Sequence, residues 1–258
     1  MQIPYELALG WRYTRAGRAS RRNGFISFIS GVSMLGIALG VAALIIVLSV
    51  MNGFQKEVRE RMLSVVSHIE VLAPGGAALV DLPAALQQLR SHPQVVGAAP
   101  FVAAQALLAR GETMKGVVLR GIDPALEGEV TDLAAAHPEV LAQLQPGAFR
   151  VVLGLELARQ LGVRVGDVVT LVAPSGQVTP AGVLPRLKQM TVAGLFHSGH
   201  YEYDAALALM HVEDAQRLLR LEGPTGVRLK LHDLHQAPAV ARELAHTLTE
   251  HLVLRDWT

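Results

Sequence analysis

The stretch NGFISFISGVSMLGIALGVAALIIVLSVMNGF, residues 23–54, decides how the chain is organised. From Phe25 to Met51 it contains 27 residues without a single Asp, Glu, Lys, Arg, His or Pro. About 20 such residues cross the hydrocarbon core of a bilayer, whereas a buried core helix rarely keeps so long an apolar run. The stretch therefore predicts one membrane-spanning helix, which we assign to residues 25–52.

The charged residues on either side of the span predict its orientation. Five arginines and one glutamate precede it, whereas basic and acidic residues alternate behind it. Because segments rich in Lys and Arg stay in the cytoplasm, residues 1–24 are expected there as a short amphipathic segment, with the rest of the chain across the membrane. A cleaved signal peptide is the rival interpretation, but its apolar core would be only about 7–15 residues long.

Small residues recur along one side of the predicted span. Gly36 and Gly40 form a small-x-x-x-small pair, and Ala43 continues the same side. Small side chains let a neighbouring backbone approach closely, so this side is expected to pack against a partner helix. The alternative is that glycine is simply frequent in membrane helices. Beyond the span, apolar positions at helical spacing predict a stalk helix over residues 53–66.

The remaining residues, 67–258, predict one exported α+β domain. Short apolar runs that suit strands alternate with helical patterns, without a visible repeat. Strands are expected over 68–72, 95–109, 117–122, 149–153, 168–172, 190–196, 206–210, 226–231 and 252–254. Helices are expected over 83–91, 156–161, 213–219 and 238–249.

One segment of this domain, APSGQVTPAGVLPR at residues 173–186, differs from the rest. Its three prolines and two glycines in fourteen residues argue against a regular strand ladder, yet it keeps apolar residues such as Val178. Prolines stiffen a segment and reduce the entropy that it loses on binding. We therefore expect an irregular binding loop; the alternative is a long hairpin connection without a binding role.

Several classes of function are disfavoured by the residues present. The formal net charge of +1 gives no reason to expect a nucleic-acid partner. The chain contains no cysteine, which rules out disulfides and thiol chemistry. Neither a Gly-x4-Gly-Lys-Ser/Thr phosphate loop nor a Gly-x-Ser-x-Gly elbow occurs, so no ATP site, no catalytic role and no cofactor are expected.

Two groups of histidines and acidic residues imitate metal sites without the required spacing. Neither contains the His-Glu-x-x-His pattern that a zincin helix needs, so we expect no metal. A polar turn and a solvated helix end are the simpler interpretations. A membrane-anchored hydrolase that uses Glu202 or Asp204 is the alternative from a different class. The groups are His197, His200, Glu202 and Asp204, and His246, Glu250 and His251.

Four motifs resemble one known family. They are the run from Asn23 to Val71 that contains the span, RGID at 120–123, LGVRVGD at 161–167 and SGHYEYD at 198–204. Together they are similar to the LolC/LolE family, the permeases of the lipoprotein-releasing ABC transporter in the wider MacB/FtsX group. The resemblance runs from about Tyr5 to Trp257. The prolines of residues 173–186 favour a LolC-type sequence, or a fused type that does both jobs, over a LolE-type one.

The resemblance implies a function in the bacterial inner membrane. Such permeases extract lipoproteins from the membrane and pass them to the periplasmic carrier LolA, while a separate ATPase subunit hydrolyses ATP. It implies a second permease subunit, lipoprotein substrates and membrane lipid as further partners. Family members have three more membrane helices, so the chain is expected to match their N-terminal part. A MacB/FtsX-like efflux or regulatory subunit that binds a different envelope protein is the alternative.

The resemblance also implies subdomains and sites. A porter-like half would cover 67–115 and 225–258, and a β-rich Sabre-like half would cover 116–224 with a hook loop at 173–186. Val47, Met51 and Phe54 are expected to line the lipoprotein cavity. The carrier-binding residues of the hook are expected to be Pro174, Ser175, Gln177, Val178, Thr179, Pro180, Val183, Pro185 and Arg186.

Overall fold

A computed structural model describes residues 5, 9, 12, 24–63, 67–179, 182–248 and 252–256. Side chains are described for these residues except 24–27, 56–63, 174–179 and 182–184. The chain divides into two compact units, one ending at Val58 and the other beginning at Arg59. Each unit is described by itself below.

The first unit consists mainly of helix α1, which extends from Gly24 to Leu63 as 40 continuous residues. Its part from Phe28 to Gln55 has a mean hydropathy of 2.7, and none of its most apolar window is buried in the chain. A helix that is apolar on all sides and that no described residue covers needs an apolar environment. The predicted span is therefore present as a helix that is long and apolar enough to cross a bilayer.

The second unit contains nine strands and eight helices among the described residues. The strands are β1 (Ile69–Leu72), β2 (Val95–Arg110), β3 (Thr113–Ile122), β4 (Arg150–Gly154), β5 (Val168–Thr179), β6 (Gly182–Phe196), β7 (Leu207–His211), β8 (Gly226–Leu231) and β9 (Val253–Asp256). The helices are α2 (Leu82–Arg90), α3 (Pro124–Glu127), α4 (Asp132–Ala136), α5 (Pro138–Leu141), α6 (Leu155–Leu161), α7 (Tyr201–Ala206), α8 (Val212–Leu219) and α9 (Ala237–Thr247).

Four strands form an antiparallel sheet in the order β2-β8-β1-β9. The units β1-α2-β2 and β8-α9-β9 each place a helix between two non-adjacent strands, which is the split βαβ arrangement of ferredoxin-like folds. Apolar residues of both helices pack with the strands in one core that contains Ile69, Leu89, Leu229, Val240 and Leu244. We call this part the four-stranded half.

The other strands close into a six-stranded barrel in the order β2-β3-β7-β4-β6-β5, with β5 returning to β2. Closure removes the exposed edges that an open sheet would leave. The barrel interior contains the fully buried side chains of Val102, Val151, Leu153 and Leu171. A separate small core covers the outer side of β4 and β7 beneath α4 and α5. We call this part the barrel half.

Strand β2 belongs to both halves. Phe101 pairs with Gly226 of β8 and also with Ile122 of β3. The expected subdomain boundary between 115 and 116 falls inside β3, which pairs with β2 from Phe101 to Arg110. The change from one half to the other occurs within a single extended strand, where no turn or composition change marks it.

Candidate functional site

The hairpin of β5 and β6 contains the predicted hook. Its ladder runs from Val168 to Ala173, is interrupted, and resumes with Gln177 opposite Leu184 and Thr179 opposite Gly182. The ladder is irregular, as the prolines predicted, but it continues beyond the interruption instead of giving way to a loop. Pro174 and Pro185 both fall within the interruption, where a strand tolerates residues without an N–H donor. Pro180 lies outside the described residues.

The outer part of this hairpin is a two-stranded ribbon. The barrel strand β2 pairs with β5 only at residues 170–172, and β4 pairs with β6 only at residues 191–196. Among the described strands, residues 173–179 and 182–186 pair only with each other. Both outer edges of the ribbon thus keep unpaired backbone donors and acceptors, which can bind another chain.

Two cationic side chains tie the base of the ribbon to the barrel half. Arg186 donates to the carbonyl oxygen of Leu218, at 3.2 Å, near the C-terminus of α8. A cation there also interacts favourably with the helix dipole. Lys188 Nζ lies 3.7 Å from the ring centroid of Phe149. Arg186, expected to contact the carrier, therefore also contributes to holding the ribbon.

Asp214 holds the loop that brings Phe149 to this position. Its carboxylate is fully buried and accepts from the backbone N–H groups of Gly147, at 2.7 Å, and Phe149, at 2.8 Å. Phe149 has a positive φ of 48°, which is strained for a residue with a side chain. Sequence reasoning missed this contact because an acidic residue in the first turn of a helix is ordinary.

The predicted membrane residues share one face of α1. Gly36, Gly40 and Ala43 continue at spacings of three and four into Val47 and Met51, and then Phe54, so they form a single stripe. Val47, Met51 and Phe54 are exposed by 59%, 55% and 68%. Outside the helix's own nearby backbone, no atom of the described residues lies within 4 Å of a Cβ built on Gly36 or Gly40, so none of them covers the small-residue face.

The acidic and histidine cluster in SGHYEYD closes a turn. Asp204, only 3% exposed, accepts from the backbone N–H and the hydroxyl of Ser198, each at 2.7 Å, and contacts His197 Nδ1. Because the Ser198 hydroxyl bonds the carboxylate and not an imidazole, the three residues lack the order of a catalytic triad.

The described residues contain no group of three or more His, Cys, Asp or Glu side chains that could hold a metal ion. The predicted cluster around His246 lies partly outside them, since Glu250 and His251 are not described.

His68, just before β1, should make stability depend on pH. Its Nδ1 accepts a hydrogen bond from the backbone N–H of Leu231 at 3.0 Å. Burial, helped by the charge of Lys230, lowers the pKa of His68 below 6.5. The carboxylates of Asp132 and Asp233 oppose this shift. Between the lowered pKa of His68 in the folded chain and its value of about 6.5 in the unfolded chain, the unfolded chain binds more protons. The contribution of His68 to stability is therefore complete above about pH 6.5 and declines at lower pH.

We therefore expect the melting temperature to fall between pH 7 and pH 5, and to fall less in His68→Asn, which keeps an acceptor without titrating. The control is His232→Asn at an exposed histidine, whose pH profile should match the parent. Thermal unfolding measured across this range checks the prediction; parallel profiles for all three proteins would contradict it.

Comparison with known proteins agrees with this arrangement. Residues 30–247 match the family described as MacB-like periplasmic core domain, and the chain belongs to that family. It is 47% identical over 256 residues to the lipoprotein-releasing system transmembrane protein LolC of Xylella fastidiosa, covering 99% of this chain and 61% of that protein. It is 46% identical to LolC of Neisseria meningitidis, over 98% of this chain and 61% of the relative.

LolE of Haemophilus influenzae is 30% identical over the whole chain and 62% of its own length. The LolC-like character predicted from the motifs is therefore confirmed, and the chain spans about three fifths of the length of these relatives. Solved structures that match this chain include the extracellular domain of YknZ, with a TM-score of 0.44 and 13% identity, covering 73% of this chain and 99% of that one. The periplasmic region of MacB from Actinobacillus actinomycetemcomitans has a TM-score of 0.43 and 10% identity, covering 75% and 90%.

Proposed function

We propose that this chain acts in a permease subunit of the lipoprotein-releasing ABC complex and that its β5–β6 ribbon docks the periplasmic carrier LolA. The observation that carries the proposal is the ribbon itself, whose residues beyond Ala173 pair with no other described strand. Its unpaired edges offer backbone hydrogen bonds to a partner. Its prolines restrict the free ribbon, which lowers the ordering entropy lost on docking.

In this proposal the exposed stripe of α1 serves two purposes. Gly36, Gly40 and Ala43 allow close packing of a helix from a second permease subunit, which is identical or related. Val47, Met51 and Phe54, on the same face, contribute to an apolar cavity that receives the acyl chains of a lipoprotein. ATP hydrolysis belongs to a separate cytoplasmic subunit, so this chain contributes binding surfaces and no catalysis.

The direct experiment uses the whole chain in detergent micelles or nanodiscs and a purified LolA-type carrier. Binding of the carrier to the chain, measured with one of the two immobilised on a sensor surface, should be saturable in the absence of lipoprotein. No association, together with capture of another envelope protein, would favour the efflux or regulatory alternative, which the match to the MacB-like family also supports. A carrier that binds equally well to empty nanodiscs would equally contradict the proposal.

The membrane orientation can be tested because the chain contains no cysteine. Val80→Cys, at a position 89% exposed, should react with a membrane-impermeant maleimide in intact spheroplasts. Ala16→Cys, in the arginine-rich segment before the span, should react only after the inner membrane is permeabilised. The reverse labelling pattern would contradict a cytoplasmic N-terminus and an exported domain.

A further inference from the structure

A buried ion pair joins the two halves of the second unit. Arg228, on β8 of the four-stranded half, is 1% exposed and donates to Glu127, which ends α3 and is 3% exposed. The hydroxyl of Thr131 donates to the same carboxylate oxygen at 3.2 Å. Helix α3 follows strand β3 of the barrel half, so this pair crosses from one half to the other.

A second ion pair joins the two halves with the charges exchanged, because here the barrel half supplies the cation and the four-stranded half the anion. Arg120 lies on β3 of the barrel half, and its guanidinium is 3.9 Å from Glu70 on β1 of the four-stranded half. Arg255 on β9 donates to the other oxygen of Glu70 at 2.6 Å. Each half therefore supplies one cation and one anion to this cluster, and Arg255, whose side chain is 69% exposed, adds a further cation at its edge.

Three buried polar atoms of the cluster have no hydrogen-bond partner among the residues that the structure describes. They are Nε of Arg120, Nε of Arg228 and Oε2 of Glu127. Burial, together with the charge of Arg228, lowers the pKa of Arg120 to about 10. A buried charged group with an unmet hydrogen bond is strongly destabilising, so each of these atoms requires a partner.

The same three residues line one small cavity at this place. Its volume is about 10 Å³, close to what one water molecule requires, and Thr131 also lines it. The unmet atoms are two donors and one acceptor. A water molecule can accept two hydrogen bonds and donate one, whereas an anion could not donate to Glu127.

We propose that one buried water completes this cluster and that the completed cluster is a joint that holds the barrel half rigidly on the four-stranded half. The water accepts from Nε of Arg120 and of Arg228 and donates to Oε2 of Glu127. The joint fixes the direction in which the β5–β6 ribbon points, whatever the ribbon binds. The joint therefore does not depend on the proposed carrier-binding function.

A crystal structure of the whole chain at a resolution that shows ordered water tests the occupant. We expect one water within hydrogen-bonding distance of the three atoms, and a bromide soak should leave the site without anomalous signal. An empty cavity, or bromide in it, would overturn the water assignment.

Distances between spin labels test the joint. Labels at Val80→Cys in the four-stranded half and Val165→Cys in the barrel half occupy exposed positions of a chain that has no other cysteine. The parent should give a narrow distance distribution. Arg228→Met combined with Glu127→Leu removes the pair without leaving a buried charge alone, so it should fold and give a distribution at least about twice as broad.

Arg228→Met alone should lose more thermal stability than the double variant, because it leaves Glu127 buried without its cation. If the double variant does not fold, Glu127→Gln, which keeps an acceptor and removes the charge, takes its place in the distance measurement. A folded variant with an unchanged narrow distribution would overturn the joint. A second variant, Lys230→Met, removes an exposed pair with Asp132 and should leave the distribution as in the parent.

Discussion

Val178→Asp should weaken binding of the LolA-type carrier by at least about 30-fold, the effect expected at an interface hot spot. Val178 lies in the outer ribbon opposite Val183. A carboxylate there would have to be desolvated without a partner when the carrier docks. Because these residues pair only with each other, the melting temperature should hardly change. Binding of the whole chain in nanodiscs, titrated with the carrier, measures the effect.

The matched control is Val80→Asp, the same substitution at a position that is 89% exposed in the four-stranded half. It should leave the affinity within about twofold of the parent, since exposed substitutions away from an interface have small effects. Equal losses in both variants would indicate a general charge effect. Unchanged affinity in Val178→Asp would show that the ribbon is not part of the docking surface.

Gly154→Ala should destabilise the second unit by about 3 kcal/mol, at the upper end of what overpacking usually costs. A Cβ on Gly154 would lie 2.2 Å from the carbonyl oxygen of Asp204 and 2.7 Å from its Cα. Both are backbone atoms of a turn that the buried Asp204 carboxylate fixes, so they cannot move aside easily. The melting temperature should fall by roughly 6–12 °C, measured by thermal unfolding monitored by circular dichroism.

Gly128→Ala is the control for this substitution. Gly128 has a φ of −63° and nothing within 4 Å of its Cβ position, so alanine there should be neutral or slightly stabilising. Equal stability of the two variants would mean that strand β4 and the turn at Asp204 are not packed as closely as the structure has them.

The sequence predicted the elements of this fold much better than their assembly. The uncharged run through Gly36 and Gly40 forms the expected long apolar helix, and a strand occurs at each of the nine predicted places, although β5 and β6 extend well beyond their predicted ends. Alternation does not specify partners, however, and the pairing of β2 with β3, β5 and β8 depends on contacts far apart in the chain. The boundary inside β2 was therefore beyond reach.

The helices that were missed are short and begin without an apolar period. α3 and α5 have four residues each and start at Pro124 and Pro138, and α7 falls in the motif that was interpreted as a polar turn. A segment of one turn carries too few apolar positions for a helical period to be visible. These helices nevertheless matter, because α3 carries Glu127.

The buried pair of Arg228 and Glu127 could not be predicted from the local sequence either. Arg228, in the strand sequence GVRLKL, looks like one of the alternating polar residues that normally face water. Its partner Glu127 is far away along the chain, and only the assembled fold brings the two together. The proline-rich segment was recognised as unusual from composition alone, but the ladder that continues through it depends on where Pro174 and Pro185 fall relative to the interruption.

The central claim is that the β5–β6 ribbon contacts the periplasmic lipoprotein carrier, and site-specific photocrosslinking in cells tests it most directly. Benzoylphenylalanine introduced at Val178 should give a crosslinked product that contains the carrier, and the same residue at Val80 should not. Crosslinking of the carrier at Val80 but not at Val178, or capture of a different envelope protein at Val178, would contradict the account.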